Sequence, residues 1–191
     1  MNAKTDSREK IVEAASRLFQ LKGYPATGLN EILRESGAPK GSLYYYFPNG
    51  KEELALAAID LASRTIQKNV EAGLAAYRDP VRAVSRVIED MTAALKADGK
   101  LQNMSLSLLA LETCQTSEML RNACARSFEK MEALYAGKLL EGGFSEQRAG
   151  ELGTVLQTVI EGAITVSVTK KDTAPLEAVL RQVPALLGPN S

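Results

Sequence analysis

Apolar residues repeat with the period of an α-helix along almost the whole chain. Near the N-terminus, Ile11, Ala14, Ala15, Leu18 and Phe19 fall three or four residues apart, so they line one face of a helix. Polar and apolar residues do not alternate over any stretch long enough to predict a buried strand. The pattern therefore predicts an all-α protein.

Capping and helix-breaking residues divide this pattern into about nine helices with short links. The first helix is predicted to start at a cap on Asp6 or Ser7 and to end at Gly23. Thr27 is predicted to be the N-cap of a short second helix, and a third helix begins near Pro39. Caps and breaks predict six later helices. Three are predicted with both ends: Lys51 to Tyr77, about Met104 to Leu111, and about Ser117 to Glu141. Three are predicted by the residue at which they start: Asp79-Pro80, Ser145, and Asp172 or Thr173.

The stretch from about residue 29 to residue 48 predicts a helix-turn-helix. Two short helices are separated by the turn at Ser36-Gly37, an arrangement that places a second helix in the major groove of DNA. On that second helix Leu43 and Phe47 are four residues apart and are predicted to pack inward. The outward side chains are then Lys40, Gly41, Ser42 and Tyr45, with Tyr44 and Tyr46 on the flanks.

Three consecutive tyrosines on a short exposed helix suit DNA binding. Their hydroxyls can donate to phosphates and their rings can pack on thymine methyl groups, while Gly41 leaves room for close approach to base edges. For Tyr44 and Tyr46 the alternative is half-burial against the first helix. Thr27 precedes the second helix and could add a phosphate contact at that helix N-terminus.

Charge and composition agree with this interpretation and exclude others. Residues 1–51 carry eight Lys or Arg and five Asp or Glu, a net of +3, whereas the rest of the chain has a net of −3. There is no His, and two cysteines, Cys114 and Cys124, are too few for a zinc site. We expect both to be small buried side chains, with a redox pair as the alternative. No catalytic residue, metal site or cofactor is expected, and neither a secretory signal nor a membrane span, so the protein is expected to be cytoplasmic.

The segment from helix one to Lys51 resembles the TetR family of repressors. The matching residues are Phe19, Gly23 and Tyr24, Thr27, Ile32, Ser36-Gly37, Gly41, the run Leu43 to Phe47, and Lys51. The link Phe47-Pro48-Asn49-Gly50-Lys51 and the stretch Leu108 to Thr113 are similar to the LmrA/YxaF-like branch, which responds to drugs and flavonoids. Pro39 departs from the serine that many members have there, and Tyr46 replaces a frequent histidine.

The resemblance implies a ligand-responsive repressor that binds a palindromic operator in double-stranded DNA as a homodimer. A small-molecule inducer, aromatic, flavonoid-like or drug-like, would release it, and Lys51 would contact a phosphate. It also implies a helix-turn-helix domain at residues 6–66 and a helical ligand-binding and dimerisation domain at residues 67–191. The helix from Lys51 to Tyr77 contains no linker, so we expect it to join the two rigidly and to act as a lever.

The second half of the chain offers candidates for the dimer interface and the ligand site. Apolar residues between Leu152 and Val168 are spread wider than one stripe, which predicts dimerisation through this helix and the last one, with Val179 and Val183. Polar side chains embedded in these helices are candidate ligand contacts: Asn103, Ser107, Glu112, Gln115, Tyr135, Thr158, Glu161 and Thr165. For each, the alternative is a local bond to a carbonyl one turn earlier.

Two other classes of function stay open at this point. One is a DNA-binding helical protein without ligand coupling, against which a clear cavity in the helical body would count. The other is an all-helical enzyme with paired carboxylates such as Glu129 and Glu132, or Asp60; the lack of His and the placement of these residues on solvated helix faces disfavour it.

Overall fold

The computed structural model describes residues 3–99 and 105–188, except the side chains of residues 3–6 and 98. Over these residues it contains nine α-helices and no strand, which confirms the all-α prediction. The helices are α1 (Ala3–Lys22), α2 (Leu29–Ser36), α3 (Lys40–Tyr46), α4 (Lys51–Ala75), α5 (Pro80–Asp98), α6 (Ser107–Thr113), α7 (Glu118–Glu141), α8 (Glu146–Lys170) and α9 (Ala174–Leu186).

Most predicted helix boundaries are confirmed by the local chemistry. Gly37 follows α2 with φ of 63°, the left-handed conformation that glycine adopts without strain. Asp79 caps α5 by accepting from the backbone N–H of Arg82 at 2.8 Å, and Ser145 caps α8 in the same way. The prediction for the start of α1 was wrong, because α1 already begins at Ala3.

The predicted cap at Thr27 was also wrong. Gly28 is the N-cap of α2 and contributes no side-chain bond. Thr27 is fully buried, and its hydroxyl donates backward to the carbonyl oxygen of Gly23 at 2.8 Å. Its side chain therefore ties the link between α1 and α2 to the end of α1, and it does not serve the helix that follows.

The described residues form two compact units. Unit 1 comprises Met1–Arg64 and Leu106–Ser127, and unit 2 comprises Thr65–Ser105 and Phe128–Ser191. This grouping differs from the predicted division at residue 66, because α6 and the first part of α7 belong with the N-terminal helices.

In unit 1, α1 packs against α2 and α3. The packing surface is apolar, and Ile11, Phe19, Ile32 and Leu43 are completely buried. At the edge of this contact two ion pairs join α1 to α2: Arg17 with Glu35, and Lys22 with Glu31. The hydrogen bond from Lys22, together with its charge, lowers the pKa of Glu31.

In unit 2, α9 packs against both α5 and α8. Val183 is completely buried within its own chain, so it is core and not part of an exposed dimer face as predicted. By length and composition α8 could cross a membrane, but core helices of folded domains pass the same test, and one face of α8 is buried in unit 2.

Candidate nucleic-acid interface

The inner face of α3 is fixed to the rest of unit 1. Leu43 is completely buried and Phe47 is 2% exposed, as the four-residue spacing predicted. The guanidinium of Arg8 in α1 lies 5.5 Å from the centre of the Phe47 ring. This anchoring determines which side of the short helix faces outward.

The outer face of α3 carries the side chains predicted to contact DNA. Tyr45 is 69% exposed and Tyr44 is 49% exposed, and Lys40 and Gly41 are exposed as well. Tyr46 is half-buried and its ring meets that of Tyr45 edge-on, with 5.0 Å between the centroids. Half-burial therefore describes Tyr46 but not Tyr44. Ser42, predicted as outward, is also half-buried.

Two exposed cations lie on or beside α3: Lys40 on the helix itself, and Arg8 of α1, whose guanidinium lies against the Phe47 ring. Other cations of the N-terminal helices are engaged by carboxylates: Arg17 with Glu35, and both Lys22 and Arg34 with Glu31. Lys40 is exposed and makes no ion pair within the part of the chain that the structure describes. Its ammonium is therefore free to meet a phosphate beside the tyrosines.

Lys51, predicted as a phosphate contact, is occupied by the link between α1 and α2. Its ammonium lies 4.4 Å from the centre of the Tyr24 ring and donates to the carbonyl oxygen of Pro25 at 3.4 Å. Burial lowers the pKa of Lys51, and the charge of Glu112 partly opposes this. In this conformation Lys51 holds the link in place.

Glu112, predicted as a ligand contact, belongs to the same part of unit 1. Its Oε2 accepts from the backbone N–H of Tyr24 at 2.6 Å. The two residues are 88 positions apart, and no local pattern predicts such a contact. The ligand assignment of Glu112 is therefore replaced by a contact with the N-terminal helices.

Two of the predicted ligand residues do come together in unit 2. Tyr135 is fully buried, and burial followed by the charge of Glu161 raises its pKa. The half-buried carboxylate of Glu161 accepts from Ser105 at 2.5 Å and from Gln157 at 3.2 Å. Sequence reasoning missed Ser105 and Gln157. The contact of Gln157 with Glu161 could have been predicted, because residues four positions apart are neighbours on a helix. The contact of Ser105 with Glu161 could not, because these residues are 56 positions apart.

The other candidate ligand residues lie elsewhere. Thr158 and Thr165 are exposed on α8, and each hydroxyl donates to the carbonyl oxygen four residues earlier, which is the alternative given for them above. Ser107 is half-buried and Gln115 exposed, both in unit 1. Asn103 lies outside the described residues.

The cysteines differ in their surroundings. Cys124 is buried, as expected, and burial raises its pKa to about 11. Cys114 is exposed, so the expectation that both are buried was wrong for that residue. Within the described residues, no three Asp, Glu or Cys side chains gather in a group that could hold a metal ion.

Comparison with known families accounts for both halves of the chain. Residues 11–58 match the model for bacterial regulatory proteins of the tetR family. Residues 80–182 match the model for the C-terminal domain of LmrA/YxaF-like transcriptional regulators.

Full-length relatives agree with these matches. The HTH-type transcriptional regulator YxaF of Bacillus subtilis is 45% identical over 98% of both chains. LmrA of the same organism, also an HTH-type transcriptional regulator, is 42% identical over 95% of this chain and 97% of its own. The crystal structure of reduced Escherichia coli NemR has the same fold, with a TM-score of 0.84 at 22% identity over 94% of this chain and 96% of its own. The family and these relatives are regulators and not enzymes, and the chain belongs to the TetR family of helix-turn-helix transcriptional regulators, with a C-terminal domain of the LmrA/YxaF type.

Proposed function

We propose that this regulator is a cytoplasmic, ligand-responsive repressor. It binds a palindromic operator in double-stranded DNA as a homodimer, and a small-molecule inducer releases it. The observation that carries the DNA-binding part is the outer face of α3, where Lys40, Tyr44 and Tyr45 are exposed on a helix whose inner face is buried.

The chemistry of this face fits the major groove. A tyrosine hydroxyl can donate to a phosphate or to a base acceptor, and the ring can pack on a thymine methyl group. Gly41 presents no side chain, and a Cβ there would meet no atom of the described chain within 4 Å, so the backbone can approach DNA closely. We leave Thr27 out of the proposed contacts, because its side chain is fully buried.

The proposed dimer forms through the exposed face of α8. This face, which we call the α8 stripe, consists of uncharged residues only: Thr154, Val155, Thr158, Gly162, Thr165, Val166 and Thr169. The hydroxyls of Thr158, Thr165 and Thr169 donate to carbonyls within α8, so these donors need no partner outside the helix. A long uncharged stripe on an exposed helix suits a two-fold interface with a second copy. In such a dimer the two copies of α3 would lie ~34–36 Å apart and would require an inverted repeat.

For the inducer we propose contacts with Tyr135 and Glu161 in unit 2. The Glu161 carboxylate accepts from Ser105 and Gln157, and a carboxylate is a suitable acceptor for a hydroxyl or an amine of a ligand. A planar aromatic compound with hydroxyl groups, such as a flavonoid, has this chemistry. Helix α4 is unbroken and contributes residues to both units, and we propose that its tilt carries the effect of the ligand to α3. A coupling of about 1–3 kcal/mol would be sufficient.

Two measurements test the proposal. Selection of bound fragments from random duplex DNA should return an inverted repeat. Bound sites without dyad symmetry would refute the proposal that two copies of α3 bind the operator as a dimer. Flavonoids should then be titrated against the free protein and against its operator complex. By thermodynamic reciprocity, the operator must weaken flavonoid binding by the factor by which the flavonoid weakens operator binding. If the tested flavonoids bind the free protein and the operator complex equally, or bind neither of them, the alternative of a DNA-binding protein without ligand coupling remains.

A further inference from the structure

We infer that Glu112 is a positioning residue for DNA binding, although it lies on α6 and not on the helix-turn-helix. Its carboxylate holds the backbone N–H of Tyr24 and so fixes the link that leads from α1 into α2 and α3. The inference rests on the proposed contact of α3 with DNA, and it adds a residue that would govern this contact without touching the duplex.

The fit between Glu112 and the link is close. Gly23 has φ of +84°, and a Cβ at this position would lie 2.2 Å from Oε1 of Glu112. The carboxylate therefore occupies the space that a side chain at position 23 would need, while its other oxygen accepts from Tyr24 at 2.6 Å. The carboxylate thus lies directly against the turn at Gly23 and Tyr24.

The same link is held from two further directions. The ring of Tyr24 lies 5.5 Å from that of Phe19 in α1 and under the ammonium of Lys51 in α4, which also donates to Pro25. The hydroxyl of Thr27 closes the link onto Gly23. Residues of α1, α4 and α6 thus all contact this link, and α2 follows directly from it.

Helix α6 is itself held in unit 1, so Glu112 is presented from a fixed base. Leu109 and Thr113 on α6 are buried. Just after α6, the hydroxyl of Ser117 donates to Glu52 in the first turn of α4 and accepts from the N–H of Leu120, which caps α7. Loss of the Glu112 carboxylate should therefore free the link and not α6.

The test compares three variants. Glu112→Ala removes the acceptor, Glu112→Gln keeps an oxygen acceptor without the charge, and Glu118→Ala is a matched control on an exposed carboxylate of α7. The measurements are affinity for the selected operator, the dependence of this affinity on salt, and hydrogen exchange of the Tyr24 amide.

We expect Glu112→Ala to bind the operator about tenfold more weakly, Glu112→Gln to stay within about threefold of the unchanged protein, and Glu118→Ala to bind normally. The slope of log affinity against log salt should stay the same in all three, because no phosphate contact is lost. The Tyr24 amide should exchange faster in Glu112→Ala and at the ordinary rate in Glu112→Gln.

Three results would overturn the inference: normal operator affinity in Glu112→Ala, a loss of affinity in Glu112→Gln equal to that in Glu112→Ala, or a changed salt slope. Unchanged exchange at Tyr24 in Glu112→Ala would also overturn it, and this measurement needs no operator. If Glu112→Ala fails to fold, the Glu112→Gln variant becomes the test. Faster exchange of the Tyr24 amide or loss of operator binding in Glu112→Gln would contradict the positioning role of Glu112. Failure of the unchanged protein to bind any duplex would instead refute the proposed function.

Discussion

Gly153 in α8 faces the carbonyl oxygen of Glu132 in α7 so closely that a Cβ at Gly153 would lie 2.6 Å from that oxygen. The same Cβ would lie 3.2 Å from both the backbone nitrogen and the Cβ of Ala136. Because the nearest atom belongs to the backbone of a helix, it cannot rotate away as the end of a flexible side chain could. The close contact of α7 and α8 at this point therefore depends on glycine at position 153.

Gly153→Ala should destabilise the protein by about 1–3 kcal/mol, since the overpacking cost exceeds the gain in helix propensity. Urea unfolding at one fixed protein concentration measures this, because dimer formation makes apparent stability depend on concentration. Gly137→Ala in α7 is the matched control: a Cβ there meets no atom of the described chain within 4 Å, so a gain of about 0.5–1 kcal/mol is expected. Equal stability of Gly153→Ala and the unchanged protein would contradict the argument.

Local periodicity predicted much of the fold and part of the candidate interface. The spacing of Leu43 and Phe47 identified the buried side of α3 because residues four apart share a helix face. Exposure of Tyr45 and Lys40 followed from the same geometry. Caps such as Asp79 were recognisable because the capping bond joins neighbours in sequence.

Contacts between distant segments were not predictable in this way. The bond between Glu112 and Tyr24 depends on how α6 packs against α1, and periodicity contains no information on which helices meet. The N-cap prediction for Thr27 was wrong for a local reason. The hydroxyl of a residue that precedes a helix can donate to a carbonyl at the end of the previous helix as readily as it can cap the next helix. Both Glu112 and Thr27 thus differ from their predicted roles because their side chains contact the chain at Gly23 and Tyr24.

Substitutions on the outer face of α3 should separate base contacts from phosphate contacts. Tyr45→Ala should weaken operator binding by about 1–3 kcal/mol and relax the preference at one base step, whereas Tyr45→Phe keeps the ring and tests the hydroxyl alone. Lys40→Ala should weaken all duplexes alike and reduce the slope of log affinity against log salt by about one. Fluorescence anisotropy over a range of salt concentrations measures both effects.

Lys130→Ala, an exposed cation on α7 in unit 2, is the matched control and should change neither the affinity nor the salt slope. If Tyr45→Ala and Lys40→Ala both bind the operator normally, α3 does not contact DNA through this face.

The two thiols should differ strongly in reactivity. Burial raises the pKa of Cys124 to about 11, so at pH 8 roughly one thousandth of it is thiolate even before access is considered. Cys114 is exposed. A thiol-specific disulfide reagent at pH 8 should therefore modify one thiol per chain rapidly and the second only after denaturant is added. In Cys114→Ser no rapid reaction should remain, and two rapid thiols in the folded protein would contradict the burial of Cys124.

The α8 stripe should control assembly. Val166 is 41% exposed at the C-terminal part of the stripe and Val155 is 39% exposed at its start. A two-fold axis brings the same stripe of a second copy against these residues, so each substitution enters the interface twice. Val166→Arg would bury two unpaired cations there, which should weaken the dimer by roughly a hundredfold or more.

Light scattering at micromolar protein should give twice the chain mass for the unchanged protein, and a dilution series should give a dissociation constant at least about a hundredfold higher for Val166→Arg. Met119→Arg is the matched control, since Met119 is 50% exposed on α7 in unit 1 and is not one of the stripe residues, and that variant should stay dimeric. Operator affinity should fall together with the dimer fraction in Val166→Arg, because an inverted repeat needs two joined copies of α3. An unchanged dissociation constant in Val166→Arg would place the interface elsewhere, and a monomeric unchanged protein that still protects an inverted repeat would mean that the chain assembles only on DNA.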